Sequence, residues 1–336
     1  MKRQKWRLWE AIKVIINSTY IRTWARLGQR GTFFGIALPE IASVKKNLKV
    51  LTADLAILSG MERFMKNYPD QFINVGIAEQ NMIGIGAGLA MTGDCVFAST
   101  YASFVAVRSL EQVRQHLAHL QLDIKIIGTS AGVVAAKSGI SHWATEDISF
   151  MRALPNIEIY SPADSFEAYK IAHYVADSKK PAYVRLSGGV NCPIVYKEEY
   201  DFIPGKIHKI VDGKKIAIIA TGLMVNESIK ASEILREKGI SVAVYNMHTI
   251  KPIDKKTLDE IFEEYSLIVS IEEHNVIGGI GSAIAEYKAT KTRSPKQVFI
   301  GFQDQFTEAG SQRYVWEQAG ITAEKIAEKI EEMELL

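Results

Sequence analysis

The stretch from Phe72 to Met91 constrains this chain more than any other. Phe72-Ile-Asn-Val-Gly-Ile77 reads as a short apolar strand carrying a glycine near its end. Glu79-Gln80-Asn81 then opens a helix whose next ten residues, Met82-Ile-Gly-Ile-Gly-Ala-Gly-Leu-Ala-Met91, offer no polar face. Such a helix is expected to be buried on all sides, as at a domain or subunit interface. An acid in the first helical turn faces the positive end of the macrodipole, which is an ordinary capping arrangement. At the mouth of a buried helix it is also partly desolvated, which favours its protonated form.

The surrounding chain alternates between strand and helix patterns. Leu48-Lys-Val-Leu-Thr-Ala-Asp54, Cys95–Tyr101, Ile124–Thr129, 156–160 and Ala182–Leu186 read as strands, with helical spacing over 33–42 and 61–67 and through Arg108, Glu111 and His119. Alternation at this spacing predicts an open, mostly parallel α/β sheet covered on both faces. Ligands in such sheets sit at the carboxyl ends of strands, and Asp54, Glu79, Tyr101 and Ser130 all fall there. Residues 196–205 are polar and read as a linker. A second α/β unit follows, with strands at 215–222, 241–247 and 267–271 and a helix at 226–238. Its segment Glu273-His-Asn-Val-Ile-Gly-Gly-Ile-Gly-Ser282 has the look of a phosphate loop but lacks a Gly-Lys-Ser/Thr ending, so it reads as a tight turn allowing close helix packing.

The 336 residues suggest about two domains. The net charge of +2 hides an uneven distribution: the first 30 residues hold eight Lys or Arg against one acid. With Trp6, Trp9 and Trp24 in the same segment, residues 1–30 form a candidate contact arm, most readily for a partner subunit. A membrane-surface helix is a weaker reading, and no motif points to nucleic acid. Two cysteines without metal-ligand spacing, no apolar run long enough to span a bilayer and no signal-peptide pattern fit a reduced, cytoplasmic protein.

Several segments, in this order, resemble transketolase-like thiamine diphosphate enzymes. They are Gly76-Ile-Ala-Glu-Gln80 with its strand and helix, Ala220-Thr-Gly-Leu-Met-Val225, Asn246-Met-His-Thr-Ile-Lys-Pro252, 272–282, and Gly301-Phe-Gln-Asp-Gln-Phe-Thr-Glu-Ala-Gly310. The likeness covers nearly everything after Arg30. It implies a pyrimidine-binding domain over 31–195 and a transketolase C-terminal-type α/β domain over 206–336. It also implies that Glu79 hydrogen-bonds N1′ of the cofactor's aminopyrimidine and favours its imino tautomer. Tyr101 and Phe104 match aromatics packed around that ring, and Arg108 matches an arginine common in two-subunit forms, although an ion pair with Glu111 is equally open. Asp54 joins them as a candidate cofactor contact. His142, in Lys137-Ser-Gly-Ile-Ser-His-Trp-Ala-Thr-Glu146, matches a histidine that reaches the donor's oxygens. The family's diphosphate- and Mg2+-binding motif has no counterpart here. The resemblance therefore implies a separate N-terminal subunit holding diphosphate and metal, no metal ligand in this chain, and an α2β2 heterotetramer transferring a two-carbon ketol unit between sugars.

Three positions depart from the family pattern. Ser130, Ser138 and Gly188 stand where sugar-phosphate transketolases place a His, an Asp and an Arg. Losing charge-assisted contacts would cost about 1.5–3 kcal/mol each. A substrate lacking a terminal phosphate in the usual place, such as a modified or nucleotide-linked sugar, would fit, unless Arg185 or the partner restores an anion site. The β-subunit of a 2-oxo acid dehydrogenase and a non-catalytic homologue are the competing readings.

Overall fold

Apolar runs without a polar face can only be interior strands of a sheet covered on both sides, and the computed structural model, which describes residues 17–334, places them so. The first sheet contains β1 (Leu48–Thr52), β2 (Phe72–Asn74), β3 (Cys95–Tyr101), β4 (Ile124–Thr129), β5 (Glu158–Tyr160) and β6 (Ala182–Leu186). The second contains β7 (His208–Val211), β8 (Ile216–Ala220), β9 (Val242–Asn246), β11 (Leu267–Asn275) and β12 (Lys296–Phe302). One short strand, β10 (Thr249–Lys251), leaves the second unit to join the first sheet. The strand orders are β10-β5-β6-β4-β3-β1-β2 and β12-β11-β8-β9-β7. Every pairing is parallel except β10 on β5 and β7 on β9.

The parallel register brings the functional rim together. Thr52 lies opposite both Asn74 and Ser99, and Thr129 opposite both Tyr101 and Leu186. The chain therefore leaves β1, β2, β3 and β4 along one edge, towards Asp54, Glu79, Ala102 and Ser130. The two units share an apolar core. One cluster of buried side chains runs from Met82 and Ile83 through Ile126, Met151 and Ile250 to Ala217 and Ile284.

Three expectations need correction. The helix Glu79–Met91 buries Met82, Ile83, Gly86 and Ala87 against the sheet but is open on its other face. Ile77 and Met91 are 80% and 72% exposed, and no neighbouring atom lies within 4 Å of a Cβ built on Gly84 or Gly88. Residues up to 30 are not all arm. Asn17 caps a helix, Ser18–Thr32, whose Trp24 is only 1% exposed and stacks on Phe166 at 5.0 Å and on Tyr169 at 5.8 Å. The amphipathic pattern that suggested a contact arm is the pattern of a helix lying on its own domain; Trp6 and Trp9 fall outside the described residues. The linker is not a loose spacer. Buried Asp164 accepts the amides of Val195 and Tyr196, and buried Glu167 accepts the Tyr200 hydroxyl and the Asn246 amide group. Tyr196 stacks on Tyr200 at 3.7 Å. Burial pushes Asp164 up to about 6 and Glu167 up to about 7.

Candidate active site

The turn that presents Glu79 is set by side chains. Asn74 Oδ1 accepts the amides of Asp54 and Gly76 at 3.1 and 3.0 Å, and Asn74 Nδ2 donates to Asp54 Oδ1 at 3.0 Å. Gly76 sits at φ +77°, a conformation that glycine adopts without a Cβ penalty. Asp54 thus shapes the entry to the helix; it has no hydrogen bond to Glu79 itself.

Glu79, 8% exposed, opens the helix and accepts a hydrogen bond from Arg108 Nη1 at 2.9 Å. No hydrogen bond within the described chain reaches its other carboxylate oxygen. Arg108 ends a π-helical turn, Phe104–Arg108, of a kind that gathers at functional sites. Its guanidinium lies 3.9 Å from the centre of the Phe104 ring, and Gln80 Nε2 donates to its carbonyl at 2.9 Å. The alternative pairing with Glu111 does not occur, because Glu111 is held at two points by Arg114, at 2.8 and 3.0 Å.

Beyond Arg108 the row continues as an aromatic wall. Tyr101 and Phe104 have ring centres 5.4 Å apart, and the His142 ring stands edge-on at 5.9 and 5.4 Å from them. The Ser141 hydroxyl lies 2.9 Å from His142 Nδ1. Glu79, Arg108, Phe104, Tyr101 and His142 are therefore assembled into one surface from three separate chain segments. Ser130 is buried at the end of β4 with φ +52°, and Ser138 is exposed on the short turn Ala136–Ser138; neither side chain hydrogen-bonds to that surface.

Arg185 does not restore an anion site. It is 1% exposed, and its Nε donates to Asp147 Oδ2 at 2.9 Å while its Nη2 donates to the carbonyls of Ala144 and Glu273 at 3.0 and 2.9 Å. Gly188 likewise has no room for a side chain. A Cβ there would meet Gln29 Cγ at 2.6 Å and Cys192 Sγ at 2.7 Å, and Gln29 Oε1 already accepts the Gly188 amide at 2.8 Å. The glycine-rich stretch after β11 is no phosphate loop, for Glu272 fills its helix N-terminus by accepting the amides of Ile280 and Gly281 at 2.7 and 3.0 Å. This confirms the tight-turn reading.

Residues 30–190 match the transketolase pyrimidine-binding domain, and residues 205–326 the transketolase C-terminal domain. Over 301 residues the chain is 40% identical to a Methanocaldococcus jannaschii protein named as a putative transketolase C-terminal section, covering 89% of this chain and 94% of that protein. This chain belongs to the transketolase family. Within it, the chain is 36% identical to one of the subunits of an apulose-4-phosphate transketolase from Phocaeicola vulgatus, covering 87% of this chain and 93% of that one. Among solved structures it superimposes on a split-gene transketolase, described as an inactive beta4 tetramer, with a TM-score of 0.83 and 36% identity over 91% of this chain and 97% of that one.

Sequence reasoning missed one group in this transketolase-family chain. Asp147, Arg185, Tyr183, Glu273 and His274 form a buried polar junction between the two units. Tyr183 donates to Asp147 at 2.6 Å, and His274 lies 4.0 Å from the same carboxylate. Burial pushes His274 down to about 4 and Glu273 up from the usual carboxylate range. Only a buried-strand arginine at 185 hinted at it, since such a residue demands a partner.

Proposed function

We propose that this chain is the pyrimidine-binding, C-terminal subunit of a split thiamine diphosphate-dependent transketolase, transferring a two-carbon ketol unit between sugars. The observation that carries this reading is the continuous surface of Glu79, Arg108, Phe104, Tyr101 and His142. A nearly buried carboxylate with one unengaged oxygen suits a ring nitrogen that shares a proton, and the aromatic pair suits a flat heterocycle. The residues present therefore fit the aminopyrimidine half of the cofactor. Bound thiamine diphosphate would supply the electron sink for carbon–carbon cleavage that no side chain offers.

Within this chain, Glu79 holds a proton at the ring nitrogen, and Tyr101 and Phe104 orient the ring. Arg108 balances the Glu79 charge before the cofactor arrives. His142 faces the substrate oxygens; a Ser141 hydroxyl donating to Nδ1 leaves Nε2–H as the donor. Diphosphate and Mg2+ belong to a separate subunit. The descriptions of relatives as a C-terminal section, as one subunit of a larger transketolase and as an inactive beta4 tetramer support that division. The open face of Ile77, Gly84, Gly88 and Met91 suits a subunit contact, and an α2β2 assembly follows. Two buried free cysteines and the lack of any described helix long and apolar enough to cross a membrane accord with the cytoplasm.

The substrate lacks a terminal phosphate in the usual place, because Ser130, Ser138 and Gly188 carry no charge and Arg185 is committed elsewhere. The apulose-4-phosphate relative, by its name, handles a phosphorylated sugar, so this part of the reading rests on the local departures alone. Calorimetry with thiamine diphosphate and Mg2+ tests the division of labour: no binding to this chain alone and binding with its partner is expected. Binding by this chain alone would refute it. Ordinary turnover of xylulose 5-phosphate with ribose 5-phosphate would refute the substrate reading.

A further inference from the structure

The loop carrying Ser138 and His142 is pinched at its neck. Gly132 and Ala144 form an isolated antiparallel bridge, with Gly132 N donating to Ala144 O at 3.1 Å and Ala144 N to Gly132 O at 2.9 Å. Everything between, residues 133–143, hangs from that bridge, braced internally by Trp143 Nε1 on the Ala136 carbonyl at 3.1 Å.

The second unit grips this neck from below. Glu273, buried on β11, accepts the Val133 amide on Oε1 at 3.2 Å, immediately inside the bridge. The same oxygen accepts Trp316 Nε1 at 2.7 Å and Gln312 Nε2 at 3.2 Å, which anchor it to the helix Gln312–Ala319. Glu273 Oε2 has no hydrogen-bond partner and lies against Gly132, where a Cβ would come within 2.2 Å of it. The Glu273 carbonyl shares Arg185 Nη2 with the Ala144 carbonyl on the other side of the neck, and Asn275 N donates to Thr145 O at 2.7 Å. A buried carboxylate left half-unsatisfied is costly, and nothing in the packing of the second unit alone requires one there.

We propose that Glu273 is a positioning residue. From the second domain its carboxylate fixes the neck of the 133–143 loop, and so the place of His142 relative to Tyr101 and Phe104, without touching substrate. The proposal rests on the reading of His142 as a substrate contact. It separates two tasks: the Glu79 side of the site needs only the first domain, whereas the substrate side is held by the second.

The test compares Glu273→Ala, Glu273→Asp and Glu273→Gln. Hydrogen exchange on the chain itself should accelerate about ten-fold or more over 133–143 in the Ala and Asp variants, with the helix Glu79–Met91 unchanged. Gln, which keeps an acceptor at Oε1, should restore the parent rate to within about two-fold. In the assembled enzyme the same two variants should raise KM for the ketose donor by about ten-fold or more while leaving the Kd for thiamine diphosphate within about two-fold. If Ala prevents folding, Asp, which withdraws the carboxylate by one methylene, carries the comparison. Unchanged exchange over 133–143 in the Asp variant would overturn the proposal, as would cofactor affinity falling in step with KM. Should the parent assembly turn over no ketose at all, the functional reading fails and the exchange result alone decides for or against the grip.

Discussion

Replacing Arg185 with Leu removes the cation at the centre of the junction between the domains. The substitution leaves Asp147 buried with only the Tyr183 hydroxyl, at 2.6 Å, and strips the Ala144 and Glu273 carbonyls of their shared donor. Removing one partner of a buried ion pair costs about 3–5 kcal/mol, because the remaining charge is uncompensated. At about 2–4 °C per kcal/mol, melting should fall by about 10 °C. Asp147→Asn lowers the charge that the junction must accommodate, so the double variant should recover part of the loss, with a coupling energy of about 1–3 kcal/mol. Thermal melts followed by circular dichroism, with urea midpoints for the four members of the cycle, give both quantities. A single variant melting within about 2 °C of the parent, or strictly additive losses, would refute the view that this pair is worth more than its volume in the core.

Other consequences are equally open to measurement. Because burial raises Glu167 to about 7, the folded chain keeps a proton that the unfolded chain gives up, so this group's contribution to stability falls as pH rises from about 4.5 to 7 and is level above. Glu167→Gln should therefore be most inferior to the parent near pH 5 and lose less by pH 8, a difference of at most about 3 kcal/mol in urea unfolding; a pH-independent gap would contradict this. Gly279→Ala would put a Cβ 1.8 Å from Glu272 Oε2 and should lower the urea midpoint by the equivalent of about 1–3 kcal/mol. Gly84→Ala meets nothing in the single chain and should stabilise it by about 0.5–1 kcal/mol, yet weaken association in sedimentation velocity if this face meets another chain. Glu79→Gln in the assembled enzyme should lower kcat by about a hundred-fold or more without disturbing the melting of the isolated chain by more than a few degrees.

The rim of the site was legible because local pattern carried it. The apolar runs ending at Thr52, Tyr101 and Thr129 fix where parallel strands stop, and the register then brings Glu79, Tyr101 and Phe104 together. What escaped depends on distant pairing. Arg185 reads as an available cation until Asp147 and the Glu273 carbonyl, both far away in sequence, are seen to claim it. Trp24 reads as exposed because an amphipathic helix shows the same periodicity whether its apolar face meets another protein or, as here, Phe166 and Tyr169. The open side of the Glu79–Met91 helix reverses the point: composition reported an apolar helix correctly, and only the coordinates reveal that this chain covers just one of its faces.

Strand β10 has a consequence for how such a chain is made. Its residues Thr249–Lys251 close the outer edge of the first sheet by pairing with β5, yet they are encoded after the linker and after β7, β8 and β9. On the ribosome, the earlier half must wait with the β5 edge bare until that segment emerges, and a bare edge is a template for pairing with other chains. A gene cut at the linker would leave the same edge permanently open. For this chain the linker is therefore a poor place to divide the protein, and any natural or engineered partition that keeps the first sheet intact has to fall outside it.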